Sequence, residues 1–149
     1  LIMFVVLFRS FYLAAIGMVP NLLAASVVLG TMGWMKVPLD IMTITVAAIS
    51  IGMAVDNTIH YIHRFKLEFK KTSNYEVSMR NSHNTIGRAM FYTSATIIIG
   101  FLVLVTSNFN PTVYFGLFVS LAMFMALMGA LTLLPQLLII LKPLGKEES

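Results

Sequence analysis

One acidic residue lies inside a long apolar stretch of the sequence. Between residues 41 and 62, Asp56 is the only Asp, Glu, Lys or Arg, and Asn57 and His60 follow it closely. A carboxyl group in a low-dielectric setting holds its proton more readily than in water, so it can bind and release a proton near neutral pH. Asn57 can donate a hydrogen bond without adding charge, and His60 can exchange a proton. These three residues are the candidate proton relay.

The spacing around Asp56 places small residues on the same helix stripe. Ala48, Gly52, Asp56 and His60 recur every four residues, and residues at this interval share one face of an α-helix. Small residues on a membrane helix let another helix approach closely. A later apolar run has three residues on nearly one face that are candidates for packing near the relay. These are Thr93, Thr96 and Gly100.

The three histidines can also be interpreted as interfacial residues with no role in proton transfer. His60 lies about one turn beyond Asp56, where it can sit at the level of the lipid headgroups, and this interpretation is favoured for His60 taken alone. His63 and His83 fall in a basic connection and are interpreted as interfacial residues. For Asp56 the functional interpretation is favoured, because acids inside membrane spans are rare and usually functional.

Composition gives these residues a membrane setting. Of the 149 residues, 58% are apolar and only 11% are charged, and the mean hydropathy is +0.89. Soluble domains contain about 25% charged residues. The composition therefore excludes soluble enzymes, nucleic-acid-binding domains and disordered chains.

The sequence also lacks the patterns of common catalytic and metal sites. It contains no cysteine, which excludes disulfides and thiolate metal sites. No phosphate-binding glycine loop, His-Glu-x-x-His pair or Ser-His-Asp set is present. We therefore expect no enzyme activity, no catalytic residues, no metal and no cofactor.

Apolar runs predict membrane-spanning helices, since about 20 residues cross about 30 Å of hydrocarbon. No run alternates apolar and polar residues as a barrel strand would. The predicted fold is an all-α membrane protein, a polytopic bundle with four complete spans, a partial N-terminal one and a short cytoplasmic interface helix. Residues 1–8, which have no initiator Met and no basic leader, are interpreted as the end of a span in a fragment or split subunit. The complete spans are 11–35, 39–62, 89–107 and 112–141.

The basic residues predict the orientation. Alternating the connections between the two sides puts nine of the ten Lys and Arg residues on one side and Lys36 on the other. The positive-inside rule makes the nine-residue side cytoplasmic. Loop 63–88 and tail 142–149 are then cytoplasmic, and 73–88 is an amphipathic helix lying at the membrane surface. Its start, Ser73-Asn74-Tyr75-Glu76, fits a capping box.

An ordered series of motifs resembles a known family. The series begins with Phe8-Arg9-Ser10 and Pro20-Asn21-Leu22-Leu23, and includes Gly52-Met53-Ala54-Val55-Asp56-Asn57-Thr58-Ile59-His60. It continues through Ile86-Gly87-Arg88-Ala89 to Leu133-Leu134-Pro135. Together these motifs resemble the membrane half of resistance-nodulation-cell division (RND) transporters. The most similar branch is the MMPL-like predicted exporters, and Patched and sterol-sensing proteins are more distant relatives.

The resemblance implies an assignment of helices and partners. The chain is similar to helices 2 (in part) to 6 of one six-helix repeat, and a second repeat, in the same polypeptide or another subunit, would complete the transporter. Asp56 matches the fourth-helix acid that the family uses in proton relay. Asn57 stands where relatives often have Tyr, Asp or Asn. The implied partners are the lipid bilayer, protons and a hydrophobic or lipidic substrate, in the inner membrane of a prokaryote, with no nucleic acid.

Three hypotheses for the function remain open. The leading one is part of an exporter, driven by the proton motive force, for lipids or other hydrophobic compounds. The alternative is a sterol-sensing-like module that binds lipid or acts as a scaffold without transport. An intramembrane enzyme is the least favoured, because no nucleophile and base pair is visible.

Overall fold

Long helices occupy the apolar runs of the sequence. The computed structural model of the chain describes Phe4, Phe8 and residues 10–37 and 41–145, except the side chain of Met42. Apart from Phe4 and Phe8, the predicted partial span 1–8 lies outside the described residues, as do 38–40 and 146–149. The described helices are α1 (Phe11–Trp34), α2 (Ile41–Thr72), α3 (Tyr75–Ser82), α4 (Arg88–Val103), α5 (Asn110–Met128) and α6 (Leu134–Leu141).

Two π-helical turns join helices into longer stretches. The turn His83–Gly87 links α3 to α4, and the turn Gly129–Leu133 links α5 to α6. A 3₁₀ turn, Leu104–Thr106, extends α4. Tyr75–Thr106 and Asn110–Leu141 are therefore continuous helical stretches of 32 residues each. The predicted surface helix 73–88 thus continues without a break into the next predicted span.

Among the described residues, three helical stretches are long and apolar enough to cross a membrane. They are Phe11–Trp34, Tyr75–Thr106 and Asn110–Leu141. The remaining long helix, α2, is less apolar because it holds Asp56 at its middle and basic residues in its second half. It packs against α1 and α5 within the same bundle. At about 1.5 Å per residue, the 32 residues of α2 extend about 48 Å, which is longer than the hydrocarbon core. The chain is an all-α membrane helical bundle.

Local sequence explains where these helices begin and end. Ser10 caps α1 by accepting a hydrogen bond from Leu13 N at 3.4 Å. Lys36 and Ser73 have φ values of 52° and 49°, so the chain enters the left-handed region and turns directly after α1 and α2. Asn74 caps α3, with Val77 N 3.1 Å from Asn74 Oδ1. The cap is therefore one residue later than the capping box at Ser73 predicted.

The types of side chain that fill the bundle core differ from one end of the bundle to the other. Aromatic and branched side chains fill the end where α2 meets α3 and α6, including Tyr61, Phe65 and Tyr75. Valine, methionine and Phe118 fill the opposite end. Between them, one alanine from each of α1, α2 and α5 is buried at a shared contact, namely Ala24, Ala54 and Ala126. Small side chains allow close approach of membrane helices, so these alanines let the three helices pack closely beside the relay segment.

Glu68, near the end of α2, forms ion pairs within α2 and accepts a hydrogen bond from α3. Its side chain is only 7% exposed and lies 2.8 Å from Arg64 Nη2 and 3.5 Å from Lys71 Nζ. Asn81 of α3 donates a hydrogen bond from Nδ2 to Glu68 Oε2 at 3.2 Å. Burial raises the pKa of Glu68, but the Asn81 hydrogen bond and the charges of Lys71 and Arg64 outweigh it, so the pKa lies below its ordinary value.

We expect Glu68→Gln to destabilise the helical hairpin near neutral pH and to flatten its pH dependence. Because the folded pKa is lowered, the ion pairs stabilise the fold fully above the ordinary pKa of 4.5 and lose this effect as the pH falls through the folded value. Thermal unfolding in detergent, followed by circular dichroism across pH, measures this. The control is Glu76→Gln, which changes an exposed acid of α3. Equal unfolding midpoints for Glu68→Gln and the wild type at pH 7 would contradict the assignment.

Candidate functional site

Helix α2 presents its small-residue stripe outward. Ala48, Gly52, Asp56 and His60 are all exposed on the described chain. A Cβ atom added at Gly52 would meet no described atom within 4 Å. The opposite side of α2 is buried, with Ala54, Asn57 and Tyr61 turned towards the bundle. The stripe is therefore an open surface next to a tightly packed core.

Asp56 and His60 form a pair on this surface. Asp56 Oδ1 lies 3.3 Å from His60 Nε2, and the two side chains are 69% and 60% exposed. Residues four apart on a helix reach each other in this way. At this distance an imidazole N–H of His60 can donate a hydrogen bond to the Asp56 carboxylate.

The pair lies at a groove between α2 and α4. The groove has a volume of about 420 Å³. Its polar lining consists of Asp56, Asn57, His60 and Thr93. The remaining lining residues are apolar or glycine, and they are Gly52, Met53, Ile86, Ala89, Met90, Ile97 and Met123. The structure thus brings all three predicted relay residues to one cleft.

The predicted packing residues are divided between two surfaces. Gly52 and Thr93 line the groove, while Ala48, Thr96 and Gly100 do not belong to its lining. Thr96 lies with Thr93 in a second, shallower depression on α4. The hydroxyls of Thr93 and Thr96 donate to carbonyls one turn earlier on their own helix, at 3.0 Å and 2.9 Å. They do not bond to Asp56 in the described part of the chain.

Asn57 is the buried member of the relay set. It is 6% exposed, and its Nδ2 atom is buried with no hydrogen-bond partner among the described residues. A buried donor without a partner costs about 1–3 kcal/mol. The amide is therefore available to a group that enters the groove.

A hydrogen bond on the buried side of α2 fixes its position against α1. Thr58 donates from Oγ1 to Asn21 Oδ1 at 3.1 Å, and Asn21 donates from Nδ2 to the Gly17 carbonyl at 2.9 Å. Gly17 has no side chain, which lets Thr58 and Ile62 approach, since an added Cβ would lie 3.2 Å and 3.0 Å from them. Pro20 lies inside a continuous α1.

Sequence reasoning missed a second group of polar residues. His83, interpreted as interfacial, hydrogen-bonds to Tyr61 of α2 and to the Leu131 carbonyl of the second π-turn. Glu68, which the sequence left without a role, is nearly buried at the α2–α3 contact. A usable signal was Pro135, because a proline four residues after Leu131 leaves that carbonyl without its helical donor.

Potential metal ligands do not cluster in the described residues. Within residues 10–37 and 41–145, no three His, Cys, Asp or Glu side chains lie together as a metal site. Asp56 and His60 alone supply two ligands, which is fewer than the four that a structural zinc site uses.

Comparison with known proteins supplies the family. The model of the MMPL family matches residues 1–147. The chain is also 29% identical over 140 residues to a protein of Methanocaldococcus jannaschii named "Putative membrane protein MJ1562". This match covers 94% of the chain but only 36% of that relative. No solved structure matches the chain. The family match extends over nearly the whole helical bundle, including the groove, and the chain belongs to the MMPL family.

Proposed function

We propose that this chain is one membrane half of an RND-type transporter that exports lipids or other hydrophobic compounds, driven by the proton motive force. The observation that supports it best is the exposed Asp56–His60 pair at the edge of a groove within the bundle. An ionised Asp at the centre of a membrane helix costs about 2.5–3.5 kcal/mol on insertion scales. Such a residue is retained for a function that needs its charge to change.

The open stripe of α2 is where the second repeat would pack. Gly52 has free space beyond it, and so does Gly100 on α4, among the described residues. Small residues beside an acid favour close contact with a partner helix. That contact would remove Asp56 from lipid and give the unpartnered amide of Asn57 an acceptor or a water molecule.

In this mechanism, Asp56 binds a proton from the outer side and releases it inward. Asn57 and His60 line the route, and the change in charge shifts how the two repeats pack. In this proposal the membrane is a prokaryotic inner membrane, and the basic residues at the ends of α2 and α3 support a cytoplasmic side for the Glu68 contact by the positive-inside rule. The lipid bilayer, protons, the second repeat and a hydrophobic substrate are the proposed partners.

Reconstitution of the full-length protein tests this proposal. In liposomes that enclose a pH-sensitive dye, an imposed pH gradient should drive export of a fluorescent lipid analogue with accompanying proton flux. Liposomes without protein, and liposomes treated with a protonophore, are the controls. Export that is unchanged when the gradient is collapsed would overturn proton coupling.

The apolar lining of the groove also favours the second candidate, a lipid-binding module without transport. Seven of the eleven lining residues are apolar or glycine, as a site for a lipid chain requires. This function predicts saturable binding of the lipid analogue with no proton flux in the same liposomes. The two candidates therefore separate in one experiment.

A further inference from the structure

His83 joins three helical segments through the two nitrogens of its ring. Nδ1 lies 2.8 Å from the Tyr61 hydroxyl of α2, and Nε2 lies 2.9 Å from the Leu131 carbonyl oxygen in the second π-turn. Nδ1 is also 3.2 Å from the Met79 carbonyl oxygen of α3. The Tyr61 and His83 rings meet edge to face, with centroids 5.5 Å apart and planes at 85°.

The partners determine which nitrogen donates. The Leu131 oxygen can only accept a hydrogen bond, so Nε2 carries a proton. In the neutral ring, Nδ1 is then an acceptor, and the Tyr61 hydroxyl donates to it. The Met79 carbonyl oxygen is also an acceptor, so in this tautomer it forms no hydrogen bond with Nδ1. Tyr61 has 0% exposure, so this bond satisfies a hydroxyl that water cannot reach.

The sequence that follows Leu131 leaves its carbonyl open to this donor. In a regular helix its donor would be the N–H of residue 135, but Pro135 has no N–H. The two π-turns also pack directly, since a Cβ atom added at Gly87 would lie 3.4 Å from Leu131 Cδ2. π-turns inside helices are rare and frequently occur at functional sites.

The His83–Tyr61 hydrogen bond joins α2 next to the relay residues. Tyr61 directly follows His60 and lies one helical turn beyond Asn57. We propose that His83 is a positioning residue, whose bonds to Tyr61 and Leu131 fix the height and rotation of α2, and hence of the Asp56–His60 pair, relative to the two π-turns. The effect on proton relay rests on the proposed function, but the position of α2 does not.

Distance measurements between spin labels test the position of α2. Leu67 on α2 and Ile140 on α6 are 41% and 74% exposed, and these 149 residues contain no native cysteine. Labels at Leu67→Cys and Ile140→Cys, in the full-length protein with any other cysteines removed, report how α2 sits against α6. We expect His83→Phe and Tyr61→Phe to broaden this distance distribution or shift it by about 1–2 Å, the size of a helix shift.

Conservative and control variants separate the hydrogen bonds from general packing. His83→Gln keeps one donor and one acceptor, so it should restore the wild-type distribution. His63→Phe changes an exposed histidine of α2 and should leave it unchanged. If His83→Phe does not accumulate in the membrane, Tyr61→Phe, which removes one oxygen atom, makes the same comparison.

The outcomes for position and for transport are distinct. A wild-type distribution in both His83→Phe and Tyr61→Phe overturns the positioning role. A shifted distribution that His83→Gln does not restore overturns it as well, because packing alone would then explain the shift. If the wild-type protein moves no protons, the proposed function fails while the label distances still decide the role of His83.

Discussion

Asp56→Asn in the full-length protein should reduce proton-coupled export to the background of protein-free liposomes. Asparagine has nearly the same shape as aspartate but cannot gain or lose a proton, so position 56 can no longer change its charge. Because Asp56 is exposed and packs against no buried partner, the bundle core should fold as before. Export and proton flux in reconstituted liposomes measure the loss, and membrane extraction measures insertion.

The matched control for Asp56 is a second exposed acid outside the groove. Glu76→Gln removes one carboxylate from the first turn of α3 and should leave export unchanged. Wild-type, proton-dependent export by Asp56→Asn would refute the relay assignment. Saturable lipid binding that persists in Asp56→Asn, with no proton flux even in the wild type, would favour the lipid-binding module instead.

Gly116→Ala should cause the largest loss of stability among the glycines of the bundle. An added Cβ would overlap the Phe101 carbonyl oxygen and lie 2.8 Å from Leu104 Cβ, so the end of α4 and the start of α5 are in direct backbone contact. Neither obstacle is the tip of a flexible side chain, so the helices would have to separate. Overpacking of this kind costs about 1–3 kcal/mol.

Gly100 provides the control for this prediction. It lies in the same helix that Gly116 packs against, but a Cβ added there meets no described atom within 4 Å. Gly100→Ala should be neutral or stabilising by up to about 1 kcal/mol, because alanine is the better helix former. Thermal unfolding midpoints in detergent compare the two. A midpoint for Gly116→Ala equal to that for Gly100→Ala would show that the contact is not as close as described.

Much of the fold follows from local patterns. The apolar runs predict the long helices, because a chain in a bilayer must satisfy its backbone hydrogen bonds internally. The four-residue spacing from Ala48 to His60 predicts one helix stripe, and in the structure all four residues are exposed. The ends of the helices were harder to predict. The predicted span ends at Ile62, but α2 continues for ten more residues, most of them polar.

The groove forms where α2 and α4 pack, and the sequence pattern does not predict which residues of the two helices meet there. Nothing in the spacing of Thr93 on α4 indicates that it shares a cleft with Asp56, and Thr96 and Gly100, on nearly the same helix face, stay outside it. The approach of two helices depends on which residues are small on both, as with the three alanines between α1, α2 and α5.

By itself, the sequence determined that this protein is a helical membrane bundle, with one acid inside a span and small residues leading to it. Periodicity and hydropathy are local properties, and the bilayer makes them decisive. Only the tertiary structure decided that Asn57 is buried while Asp56 is exposed, and that His83 bonds to Tyr61 and Leu131. These contacts join residues 22 and 48 positions apart in the chain, and such pairings arise only when the helices pack.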